Sequence, residues 1–151
     1  MNDPGMQEVS WTGAGNGTDL RTFLSIVQER LGNERAADAV PAVFETLALR
    51  LPGGLVQRIL AQLPEEIRPL LARYAKPEQA PAVKLGKREF YGAVAGRLDV
   101  DPVDVRRILH AVFAGLHSQI TEATSERIVA ELPDELANTW LAARAKVDLP
   151  R

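Results

Sequence analysis

The sequence predicts an all-α protein: two tandem pseudo-symmetric repeats of about four helices each, packed into one helical bundle domain. Three observations predict it. Apolar residues recur at helical spacing along most of the chain, and beyond the N-terminal tail no stretch alternates with the period of two that a strand requires. The stretch Gln62-Leu63-Pro64-Glu65-Glu66-Ile67 returns as Glu131-Leu132-Pro133-Asp134-Glu135-Leu136. The residues upstream of each copy also return in the same order. Phe23, Val27, Arg30 and Leu31 match Phe90, Val94, Arg97 and Leu98 at one offset. Val43, Phe44 and Leu47 match Val112, Phe113 and Leu116 at an offset two residues longer.

The first 18 residues read as a flexible Gly-rich tail. Gly5, Gly13, Gly15 and Gly17 raise the entropic cost of ordering it, and it lacks helical periodicity. Trp11 is its one large aromatic group, so the tail is either a loose appendage or a docking segment anchored by that ring.

The first repeat is expected over residues 19–75. Thr18 or Asp19 caps a helix in which Leu20, Phe23, Leu24, Val27 and Leu31 share one face, and Gly32-Asn33 ends it. A second helix is expected from about Glu34 to Arg50, kinked or broken at Pro41. Pro52-Gly53-Gly54 stops it, and Leu55, Val56, Ile59, Leu60 and Leu63 form a short third helix. Pro64 is then expected as the first residue of a fourth, with Glu65 and Glu66 at the positive end of its dipole and Pro69 keeping it short or bent. Residues 76–86, with Pro77 and Pro81, read as a linker.

The second repeat, 87–147, follows the same plan. Asp101-Pro102 is a cap followed by proline at the first helical position, and Val105, Ile108, Leu109, Val112, Phe113 and Leu116 form an apolar face. Thr121 is the expected cap of the next helix. The last one, from Pro133 to about Lys146, has no internal proline and should outrun its counterpart. Each half has little core of its own, so the halves are expected to pack together.

The doubled series of Phe23/Phe90, Val27/Val94, Arg30/Arg97, the Val-Phe pairs, Arg58-Ile59/Arg127-Ile128 and the Leu-Pro stretches resembles the bacterial and archaeal family catalogued as domain of unknown function 2267. The resemblance covers roughly residues 20–145. It implies a shared helical frame; it brings no catalytic or binding residue with it.

Composition narrows the function classes. A net charge of −2 favours neither a nucleic-acid backbone nor an anionic membrane surface. The sequence has no cysteine, which excludes disulfides and thiolate chemistry and fits a reducing cytoplasm. No apolar run reaches the length of a membrane span, and the first residues lack the pattern of a secretory signal.

No catalytic set emerges. Gly13-Ala14-Gly15-Asn16-Gly17 has neither phosphate-loop spacing nor a following Lys-Ser/Thr pair. His110 and His117 lie about 10.5 Å apart along one helix, too far to share an ion at about 2.0–2.1 Å from each ring nitrogen. Ser10, Ser25, Ser118 and Ser125 sit in no nucleophile elbow. Catalytic, cofactor-binding and metal-binding residues are therefore expected to be absent. The remaining candidates are partner-binding: Trp11, and the basic residues Lys84, Lys87, Arg88, Arg97, Arg106 and Arg107. The expected function is a cytoplasmic helical interaction or assembly module, with another protein or a second copy as its partner. The alternative is a nucleic-acid-associated regulator using the Arg/Lys stripe.

Overall fold

The computed structural model describes the backbone of residues 18–148 and the side chains of 19–144. The tail and Trp11 lie outside the described residues. The described chain is all-α, with no strand among these residues. Its helices are α1 (Thr18–Leu31), α2 (Asn33–Arg50), α3 (Gly53–Gln62), α4 (Arg68–Leu71), α5 (Lys87–Leu98), α6 (Val105–His117), α7 (Glu122–Glu131) and α8 (Asp134–Asp148). Short 3-10 turns follow α4 (Ala72–Tyr74) and precede α6 (Pro102–Asp104).

The apolar faces assigned from periodicity are the buried ones. Leu20, Phe23, Leu24 and Val27 of α1 and Val105, Ile108, Leu109, Val112 and Phe113 of α6 are buried, as part of one continuous cluster that draws on both halves of the chain. The helices pair across the halves: α1 lies on α6, α2 on α5 and α3 on α7. Gly115 brings α1 and α6 close. A methyl group there would sit 2.7 Å from Val27 Cγ2 and 3.1 Å from Phe23 Cε1, so these side chains rest on the helix backbone itself.

α2 runs unbroken through Pro41, so of the expected kink or break the break does not occur. Proline removes one N–H and crowds the carbonyl four residues back. Ala36, Ala39, Val40, Val43, Phe44 and Leu47 bury the inner face on both sides of it, and that packing holds the helix together.

The expected helix start at Pro64 is also corrected. Pro64–Ile67 is a turn, closed by Ile67 N–H donating to the Pro64 carbonyl at 3.1 Å, and α4 starts only at Arg68. Pro69 forbids an interior hydrogen bond so soon after Pro64, and the segment is too short for burial to offset the loss. Glu65 and Glu66 therefore precede a four-residue helix and have no dipole to compensate. In the second half Pro133 stands just before α8, its carbonyl accepting from Ala137 N–H at 2.8 Å, and Asp134 and Glu135 do occupy the first turn. The Thr121 cap forms as expected, its Oγ1 accepting from Thr124 N–H at 3.2 Å.

Residues 75–86 carry no helix but are strapped to the end of α2 and the start of α3. Gly53 N–H donates to the Ala80 carbonyl (2.9 Å), Gly54 N–H to Glu78 (3.0 Å) and Val83 N–H to Leu49 (2.8 Å). The strap thereby satisfies the first donors of α3, which would otherwise lack partners. Gly53 is required here, because a Cβ would fall 1.8 Å from the Pro77 carbonyl oxygen. Lys76 Nζ donates to the carbonyls of Leu49 (3.3 Å) and Pro81 (3.2 Å), and partial burial lowers its pKa from the ordinary 10.5.

Candidate functional site

Between α1 and the start of α6 lies an open groove of about 520 Å³, lined by Arg30, Val103, Arg106, Arg107 and His110. Its geometry follows from two sequence features. Positions 103, 106, 107 and 110 fall at the i, i+3, i+4, i+7 spacing of one helical face, opposite the buried face of α6. Arg30 sits in the last turn of α1, and the close α1–α6 packing brings that turn alongside. Arg106 and Arg107 are exposed, and neither has an ion pair among the described residues. Val103 is 78% exposed, the most open large apolar side chain described.

Arg30 Nη1 donates to the Ile26 carbonyl one turn back at 2.8 Å, and its nearest carboxylate is that of its neighbour Glu29, at 3.8 Å. Arg97 makes the same backbone bond, Nη1 to the Ala93 carbonyl at 3.2 Å, but is also held across helices by Glu45 of α2. Its Nε lies 3.0 Å from Glu45 Oε1 and its Nη2 3.3 Å from Oε2. Planar guanidinium and carboxylate match in such a two-point contact. The two arginines that the sequence pairs thus differ in one respect: a carboxylate from the facing helix.

Of the other basic residues singled out from the sequence, Lys87 lies 3.7 Å from Glu135 Oε1 and 5.3 Å above the Tyr91 ring, while Lys84 and Arg88 are exposed. Only Arg106 and Arg107 of that set line the groove. Arg30, Val103 and His110 were not among the partner-binding candidates, although Arg30 was matched with Arg97 and His110 was weighed as a metal ligand. The helical spacing of 103, 106, 107 and 110 was the available signal for part of the face; that Arg30 joins it depends on which helices pack together.

His117 belongs to the packing of α6 on α8. Its ring lies 4.1 Å from the Trp140 ring, and its Nε2 is 2.8 Å from the Trp140 carbonyl, so that nitrogen carries the proton and donates. Trp140 is fully buried, edge-on to Phe113 at 5.0 Å, with its Nε1–H donating to Ser125 Oγ at 2.9 Å. A larger surface cavity, about 650 Å³, lies where the α1–α2 turn meets the end of α5, with Glu34, Asp38 and Asp99 on its wall. Among the described residues no group of three or more acidic or histidine side chains is placed to hold a metal, and no helix is long and apolar enough to cross a membrane.

Residues 20–139 match the family described as "Uncharacterized conserved protein (DUF2267)". The chain belongs to that family. The matched span takes in both Leu-Pro stretches and every residue lining the basic groove, so the groove lies within the DUF2267 region. No curated protein matches the chain.

Proposed function

We propose that the chain is a non-catalytic cytoplasmic interaction module, built as a diverged duplication and acting through its surface on a protein partner. The observation that carries this reading is the filled boundary between the halves. Phe23 and Val27 rest on Gly115, and a single apolar cluster crosses from one half to the other. An active site at a pseudo-symmetric boundary needs a deep pocket with polar groups converging in it. The interior of that boundary here is filled by side chains, and the two cavities described above, each lined from both halves, open at its outer surface.

Three features support the duplication. The helix pairing is reciprocal, α1 on α6 and α5 on α2. Arg30 and Arg97 make the same bond to the carbonyl four residues back. Gly32 and Asp99, at matching positions after the first helix of each half, both leave the helix with positive φ, 83° and 55°, though with different ψ, 162° and 49°. A second reading, a nucleic-acid-associated regulator, draws on the three arginines of the groove.

Affinity capture with the full chain, with a chain lacking residues 1–17 and with nuclease-treated extract separates these readings. The interaction-module reading expects the same protein to be recovered by the full chain with and without nuclease. A partner lost with the tail places docking at Trp11; one retained places it on the helical body. Recovery of nucleic acid alone, released by added salt, overturns the protein-partner reading in favour of the second.

A further inference from the structure

We propose that the groove of Arg30, Arg106 and Arg107 is a docking site for an acidic protein segment carrying an apolar side chain. The inference rests on the surface-recognition reading and names its site and ligand chemistry. When the halves are aligned on Phe44 and Phe113, Glu45 corresponds to Ala114. In one half, therefore, the arginine closing the first helix receives a carboxylate from the facing helix; in the other, that position is a buried alanine. The divergence extends along the helix. Glu34, Ala37, Asp38 and Pro41 of α2 correspond to Val103, Arg106, Arg107 and His110. One face supplies its own negative charge beside Arg97, and the other has gathered positive charge beside Arg30.

Charge complementarity selects carboxylates, and two features select a peptide as their carrier. Val103 stands open at the groove's edge and offers an apolar side chain a contact that a phosphodiester backbone does not use. Asp101 and Asp104 flank Val103 in the preceding turn, and Glu29 neighbours Arg30. A continuous run of phosphates would meet these carboxylates, whereas a peptide sets its charges residue by residue. Guanidinium forks donate two parallel N–H bonds to such carboxylates.

The test is fluorescence anisotropy of the full-length protein with two labelled probes: a peptide of repeated Glu-Leu-Glu, and a single-stranded oligothymidylate. Two double variants, Arg106→Glu/Arg107→Glu and Lys84→Glu/Arg88→Glu, change the net charge equally at exposed positions, and circular dichroism checks that each is folded. The proposal expects the wild type to prefer the peptide. It expects the first variant to lose about tenfold in affinity, two charge pairs being reversed, and the second to retain it. Equal loss in both variants, no binding of the peptide by the wild type, or preference for the oligonucleotide would each overturn it. Captured partners that persist with Arg106→Glu/Arg107→Glu would leave the interaction-module reading standing and remove this groove from it.

Discussion

Arg97 holds Glu45 across the contact between α5 and α2, with Nε 3.0 Å from Oε1 and Nη2 3.3 Å from Oε2. Both side chains are partly exposed, so water and salt screen the pair. A double-mutant cycle with Arg97→Ala and Glu45→Ala should return a coupling of about 0.5 kcal/mol that shrinks as salt is added. A coupling unchanged in high salt would mean that the pair is packed rather than electrostatic.

Gly53 is the position where the strap approaches a helix most closely, and no side chain fits between them. Gly53→Ala places a Cβ where the Pro77 carbonyl oxygen stands, so the strap has to leave or α3 has to shift. A loss of about 3 kcal/mol is expected in denaturant unfolding. A loss near zero would show that the strap detaches at little cost.

Gly32 and Asp99 test backbone conformation without crowding. No atom lies within 4 Å of a Cβ built on Gly32, so Gly32→Ala reports the cost of holding alanine at φ 83° and ψ 162°, a region used essentially by glycine alone, expected at about 2 kcal/mol. Asp99 sits instead in the left-handed helical region, φ 55° and ψ 49°, which costs a non-glycine residue about 1 kcal/mol. Asp99→Gly should therefore be neutral or stabilising by about 0.5 kcal/mol, since glycine relieves the strain but adds freedom to the unfolded chain. Thermal melts of the two variants should move in opposite directions or leave Asp99→Gly unmoved.

Lys76 gives a pH dependence of definite sign. Burial puts its folded pKa below the ordinary 10.5, so just below that value the unfolded chain binds more protons than the folded one. Its contribution to stability therefore rises with pH across that window. The stability of the wild type relative to Lys76→Met should increase on going from neutral pH to about 10.5. A decrease would mean that the two carbonyl bonds to the ammonium outweigh its desolvation.

The fold class and the buried faces were legible in the sequence because helical periodicity records which side of a helix is dry. Phe23, Phe44, Phe90 and Phe113, the aromatic landmarks of the doubled pattern, are all fully buried. Proline was read less well. Pro41 is carried inside α2 by burial on both sides, while Pro64 and Pro69 together defeat a helix that periodicity allowed. Local rules give the cost of a proline, and only tertiary packing decides whether it is met. The groove was half legible: Arg106 and Arg107 stood out as a basic pair. Val103 and His110 share their face by spacing, whereas Arg30 reaches it through the pairing of α1 with α6, which no local pattern encodes.

A surface-acting reading requires the two halves to be one closed body, and unfolding tests that requirement most directly. In a Trp11→Phe background the remaining tryptophan, Trp140, is buried in the second half, while Leu24 is buried in the first. Urea unfolding should be followed by Trp140 fluorescence and by far-ultraviolet circular dichroism, with and without Leu24→Ala. The account predicts coincident transitions by both probes, displaced together by about 3 kcal/mol in the Leu24→Ala variant. A Trp140 transition that stays in place while part of the helical signal is lost earlier would show two independent halves, and would contradict the account.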